Sequence, residues 1–304
     1  MNSILDDFKL AFKTGNILNQ IIIINVVLFA VVAVVGVFFT LAGERYTWEA
    51  MTSYLMMPAD PSTFITRPWT LITYFFFHKG FMHILFNMLY MYWFGRIISE
   101  YLGQNKLLGL YVWGGIGGGL FYLLVYNAFP YYASAVPNSL LLGASGGVVA
   151  IVVGAATFQP NFAIHLIFLG PVKLKYIAGV TVLISLIQST GSNAGGEIAH
   201  LGGALVGYLS ITQLHKGNDW SRPVIAVIIW VKSLFKPQPK IKVSYRNTSK
   251  ASSKKSTSST MGRTSSKSRT PQQEIDAILD KISEKGYDAL TKEEKQKLFN
   301  ASKD

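Results

Sequence analysis

Cysteine does not occur anywhere in the chain, which excludes disulfides, a thiolate nucleophile and cysteine-ligated zinc or iron–sulfur centres. Nor is there an HExxH pair of the kind that holds a catalytic zinc on a helix. Charge is sparse as well, at 14% of residues against 50% hydrophobic, and it is concentrated outside several long apolar stretches. Most of a 304-residue chain built this way must lie in a bilayer. Acidic residues are scarcest, with 16 Asp and Glu against 28 Lys and Arg. The net charge of +12 would suit nucleic acid, but most of the excess falls in the last third, in a Ser/Lys-rich segment. Positive-inside topology accounts for it without a nucleic-acid partner.

What is present reads as a series of membrane helices. A short amphipathic stretch (Leu5, Phe8, Leu10 and Phe12 with Lys9 and Lys13) precedes an apolar run from Ile21 to Ala42 that is long enough to span. That run lacks the cleavage pattern of a removable signal and is read as the first membrane helix. From Gly43 to Gly80 the chain mixes Trp48, Trp69, Tyr46, Tyr54 and Tyr74 with prolines and both signs of charge, as a structured interfacial loop would. The second helix runs from about Phe81 to Ile98, and His83 and Asn87, spaced i, i+4, project from one face of it. The third, about Leu107 to Phe129, carries Gly114, Gly115, Gly117, Gly118 and Gly119, a density that fits close helix contacts.

Pro130 and Pro137 mark the loop that leads to Gly143-Ala144-Ser145-Gly146, the head of a fourth apolar helix ending at Phe158. A loop carrying Lys173 and Lys175 follows, then a fifth helix ending near Ile187. The sixth runs from about Glu197 to Leu214, with Ala199, Gly203 and Gly207 forming a small-residue stripe. Lys9, Lys13, Arg96, Lys106, Lys173, Lys175, Lys216 and Arg222 fall on one side if six helices span, which predicts both termini on the cytoplasmic face and Ser145 and His200 toward the outer one.

Small residues such as those around Ser145 usually serve helix contact. His200 changes the reading, because an ionisable side chain in a membrane helix is costly and points to function. A serine hydroxyl needs a neighbouring base to become a nucleophile. Contact between the sixth helix and the fourth would bring His200 to Ser145, which sits at a helix N-terminus with unpaired N–H groups and the positive end of the dipole.

These residues resemble the rhomboid family of intramembrane serine proteases, through Gly143-Ala144-Ser145-Gly146, Ala199-His200-Leu201-Gly202-Gly203 and His78 with His83-Ile84-Leu85-Phe86-Asn87, in the family's order. The resemblance covers roughly Pro68 to Leu214. It implies an all-α, six-transmembrane-helix bundle with an interfacial first loop, Ser145 as nucleophile, His200 as general base, and His83 and Asn87 as oxyanion stabilisers. Gly143, Gly146, Gly203 and Gly207 would serve helix packing. With no acidic residue inside the helices the expectation is a Ser-His dyad, Glu197 being a first-turn carboxylate that complements the helix dipole. His78 is expected in the interfacial loop, and His165 and His215 toward the cytoplasm. Two positions depart from the family pattern: Arg67-Pro68-Trp69-Thr70 stands where the family often has Trp-Arg, and Val149 where it often has an aromatic.

Beyond Leu214, the apolar run Val224 to Val231 between Trp220 and Lys232 is too short to span and reads as an interfacial helix. The segment Pro237 to Thr270 is rich in Ser, Thr and Lys and is expected to be disordered and drawn to anionic lipid. Ile275, Ile278, Leu279 and Ile282, then Gly286, then Thr291 with Glu294 spell a small helical hairpin with a capping box, resembling one appended to many bacterial rhomboid-like proteins. The expected divisions are 1–216 for the membrane domain, 217–236 interfacial, 237–270 linker and 271–304 hairpin. The function expected is cleavage of transmembrane segments near the outer face of a bacterial inner membrane, with the bilayer and membrane-protein substrates as partners and no metal or organic cofactor. The alternatives are a non-proteolytic rhomboid-like protein that escorts membrane clients and a small-solute transporter; no internal repeat or paired broken helices favour the last.

Overall fold

Asn16 opens the first helix, its side chain accepting from the Asn19 N–H at 3.0 Å, and the apolar run behind it forms α1 (Ile17–Leu41). The computed structural model describes residues 16–166, 170–235 and 271–301. It divides into two units, one up to Pro239 and one from Lys240. The amphipathic stretch Leu5 to Lys13 and the expected disorder of 237–270 lie outside the described residues.

The loop after α1 folds into α2 (Arg45–Ser53), β1 (Met57–Pro58), α3 (Pro61–Thr66) and α4 (Thr70–Thr73). Asp60 caps α3, its carboxylate accepting from the Thr63 N–H at 2.9 Å. Met57, Tyr74 and Phe75 of this loop are fully buried, so it is part of the core rather than a covering. The long elements follow: α5 (Phe81–Tyr101), α6 (Gln104–Ala128), β2 (Leu140–Leu141), α7 (Ser145–Phe158), β3 (Ala163–Leu166), β4 (Gly170–Lys173), α8 (Leu174–Gln188), α9 (Ala194–His215) and α10 (Ser221–Phe235).

The expectation of an all-α chain needs correction at two small ladders. β1 pairs antiparallel with β2, Met57 opposite Leu141 and Pro58 opposite Leu140, which ties the first loop to the segment just before Ser145. β3 pairs with β4 from Ala163 opposite Lys173 to Leu166 opposite Gly170. His165 lies in this hairpin. Strands of two to four residues are too short to show an alternating pattern.

Among the described residues two helices, α1 and α6, are long and apolar enough to cross a bilayer by length and composition alone. At 21 and 22 residues, α5 and α9 are long enough, about 30 Å at ~1.5 Å per residue, but polar groups in their interiors dilute their hydropathy. α1 buries little beyond Leu18, Ile21 and Asn25 and exposes Val31, Val34, Val37 and Phe38, a surface suited to lipid. It is tied inward at Asn25, which donates to the Tyr111 hydroxyl of α6 at 3.2 Å, while Tyr111 donates to the Phe75 carbonyl at 3.1 Å.

α7 sits at the centre, packed against α5, α6, α8 and α9. Its 14 residues reach only about 21 Å, shorter than the ~30 Å hydrocarbon layer and than the helices α5, α6 and α9 around it. Glycines make that crowding possible. A β-carbon built on Gly203 would lie 2.1 Å from the Gly146 carbonyl oxygen, and one on Gly207 2.3 Å from that of Ala150. The stripe on α9 thus meets α7, and Gly114 and Gly118 of α6 meet the same two helices. α10 is fastened to α6 by Lys106 to Asp219 at 2.5 Å and by the Trp113 indole N–H to the Trp220 carbonyl at 2.7 Å.

In the second unit, α11 (Pro271–Lys285) and α12 (Lys292–Ala301) are joined through Gly286, at φ 78°. Thr291 and Glu294 form the reciprocal capping box, at 2.8 and 3.3 Å, and Lys281 pairs with Glu294 at 2.8 Å.

Candidate active site

The turn that presents Ser145 is held by backbone rather than by its own side chains. Gly143 has φ +112°, a conformation open to glycine at little cost, and a β-carbon there would strike the His83 ring at 2.7 Å. Its N–H donates to the Tyr74 carbonyl at 2.9 Å, and the next N–H, of Ala144, donates to His78 Nε2 at 3.2 Å. These two bonds pin the turn to the first loop. No side chain caps α7, so the first N–H groups of the helix have no helical partner and gather at its head beside Ser145.

Ser145, His200, His83 and Asn87 line one cavity of about 480 Å³, walled by Met82, Phe86, Tyr90 and Val149 among others. Three helices contribute: α5 supplies the two expected oxyanion donors, α7 the serine and α9 the histidine. Ser145 and His200 share the cavity without a hydrogen bond between them. Asn87 is buried, and its Nδ2 donates to the His83 carbonyl one turn back at 2.8 Å, which fixes the carboxamide and leaves a second N–H free of that bond. His83 also packs edge-on to His78, ring centroids 5.1 Å apart.

Two residues have surroundings that sequence reasoning missed. His78, expected as an interfacial loop residue, is 1% exposed and holds the turn before Ser145. Its pKa is lowered to about 4, by burial first and the nearby His83 second, so it is neutral and can accept from Ala144 at pH 7. Only its nearness to His83 in sequence hinted at this. Glu197 does stand in the first turn of α9, as expected, but it is buried and its Oε2 lies 3.2 Å from His200 Nδ1. Ser185 of α8 reaches the same nitrogen at 3.1 Å. The i, i+3 spacing of Glu197 and His200 was the available signal.

Chemically the cavity assembles a hydroxyl, an imidazole and a set of hydrogen-bond donors within a largely apolar wall. That combination suits acyl transfer through a tetrahedral oxyanion.

The model of the Rhomboid domain matches residues 66–217, half of the chain, and residues 262–304 match a family of unknown function, DUF6576. RHOMBOID-like protein 12, mitochondrial, of Arabidopsis thaliana is 32% identical over 207 residues, 64% of this chain and 60% of that protein. Rhomboid protein 1, mitochondrial, of Saccharomyces cerevisiae is 29% identical over 171 residues, 53% of this chain and 45% of that protein. Rhomboid protease AarA of Providencia stuartii is 29% identical over 142 residues, 43% of this chain and 50% of that protein. The chain spans about half the length of the curated relatives it matches. Two of these relatives are mitochondrial and one is bacterial, so the likeness does not support the expected bacterial inner membrane over an organelle. With a Rhomboid-domain match over half its length, enclosing every residue that lines the cavity, the chain belongs to the rhomboid family of integral membrane proteins.

Proposed function

We propose that this chain is an intramembrane serine endopeptidase that cuts transmembrane segments of other membrane proteins near the outer face. The observation that carries the reading is the convergence of Ser145, His200, His83 and Asn87, from three helices, on one cavity. Six helices, α1, α5, α6, α7, α8 and α9, span, with both termini on the cytoplasmic side and α10 lying in the interface. Ser145 Oγ attacks the scissile carbonyl carbon as its proton passes to His200 Nε2. The oxyanion then forms among the N–H groups at the head of α7, Asn87 Nδ2 and His83. His200 hands the proton to the leaving amine, and water admitted through the cavity hydrolyses the acyl-enzyme. Membership of a family that includes a named rhomboid protease supports the class of reaction.

The test is cleavage of a model single-span substrate by purified protein reconstituted in liposomes. Ser145→Ala should reduce turnover to background while its thermal unfolding stays that of the parent. Equal cleavage by parent and Ser145→Ala would overturn the assignment, and a client bound but never cut by the parent would establish the escort reading instead.

A further inference from the structure

His200 is gripped at one nitrogen from two helices. Nδ1 lies 3.2 Å from Glu197 Oε2, one turn earlier in α9, and 3.1 Å from Ser185 Oγ in α8. Glu197 is 8% exposed and Ser185 2%, and both line the cavity that holds Ser145. A role in offsetting the helix dipole does not account for this placement. A first-turn carboxylate contributes ~0.3–1 kcal/mol in that way and does so from the surface, whereas burying an ion costs several kcal/mol unless a partner offsets it. The partner within reach is the imidazole.

An ionised carboxylate only accepts hydrogen bonds. A bond from His200 to Glu197 therefore places the ring proton on Nδ1 and leaves Nε2 with its lone pair, the form a base needs. Ser185, from a different helix, limits rotation of the ring about its own axis.

We propose that Glu197 is a positioning residue that sets the tautomer and plane of His200 and stabilises the imidazolium formed when Ser145 gives up its proton. The machinery is then a Ser145–His200–Glu197 triad supported laterally by Ser185. This rests on the serine-protease reading above. The step balances simply: a bond forms from Ser145 Oγ to the carbonyl carbon, the serine proton moves to Nε2 and later to the leaving amine, and Glu197 stays ionised throughout.

One arm of the test does not depend on activity. Histidine labelled with ¹⁵N in the Ser145→Ala protein, in micelles, should show His200 protonated at Nδ1, and adding Glu197→Gln should abolish that preference. The second arm is kinetic. Glu197→Gln should lower kcat roughly a hundredfold or more with KM near the parent value, Glu197→Asp should recover part of the loss, and Ser185→Ala should cost less than either. His200 protonated at Nε2, or Glu197→Gln turning over at the parent rate while Ser145→Ala is dead, would overturn the triad. If the parent itself never cleaves, the protease reading fails, and the tautomer measurement still decides whether Glu197 sets the ring.

Discussion

At His78, burial first and the neighbouring His83 ring second hold the imidazole down at about 4 from an ordinary 6.5. The unfolded chain therefore takes up this proton near pH 6.5 and the folded chain only near 4. The stability that His78 contributes is complete above pH 6.5 and is lost as the pH falls to 4, on the order of 3 kcal/mol over that window. Thermal unfolding in detergent should show this fall in the parent and a shallower one in His78→Gln; parallel profiles would refute the assignment. Asn87, locked to the His83 carbonyl at 2.8 Å, makes a different kind of prediction. Asn87→Ala should lower kcat about a hundredfold, ~3 kcal/mol, with little change in KM, whereas a change in KM alone would make it a substrate-binding residue. Ser145, His200, His83 and Asn87 were legible as residues of one cavity because each stands in a short pattern on one of three helices, His83 and Asn87 sharing α5. His78 was not, since it sits in irregular backbone and its partner, Ala144, is 66 residues away. The bond from His200 to Glu197 spans one turn and was within reach of the spacing, but the second contact on the ring comes from Ser185 of α8, which sequence periodicity does not place.

Between elements, the contact that matters most is α7 against α9, and two glycines test it, with a third on α8 as the control. Gly203→Ala puts a methyl 2.1 Å from the Gly146 carbonyl oxygen, and Gly207→Ala puts one 2.3 Å from that of Ala150. Each should cost about 1–3 kcal/mol as the helices separate. Gly203→Ala should also lose activity, because Gly146 follows the nucleophile. Gly179 of α8 has nothing within 4 Å of such a methyl, so Gly179→Ala should be neutral or stabilising by up to ~1 kcal/mol. Equal unfolding midpoints for all three variants would contradict the close packing. The small-residue stripe of α9 and the glycines of α6 announced tight contacts in the sequence, and the contacts are there. The β3–β4 hairpin was unreadable for the opposite reason: four residues a side, with Lys173 and Lys175 marking only a charged loop.

For the whole molecule, the positive-inside pattern puts the loop before α9 and the loop after it on opposite faces. The absence of native cysteine makes this directly measurable. An impermeant maleimide applied from outside should label Thr190→Cys and spare Lys216→Cys until the membrane is opened; the reverse pattern would invert the proposed topology. Helix order was readable from apolar runs, and the boundaries moved by a few residues, as at α1, which begins at Ile17 rather than Ile21. The depth of Ser145 was readable only in part, since it depends on how the 14-residue α7 is set among longer helices. The central claim is that Ser145 is a nucleophile activated by His200. Its most direct test is mass-spectrometric mapping of the site labelled by a fluorophosphonate in the detergent-solubilised protein. The account predicts a single adduct on Ser145 that disappears in His200→Ala; an unlabelled Ser145, or labelling undiminished in His200→Ala, would contradict it.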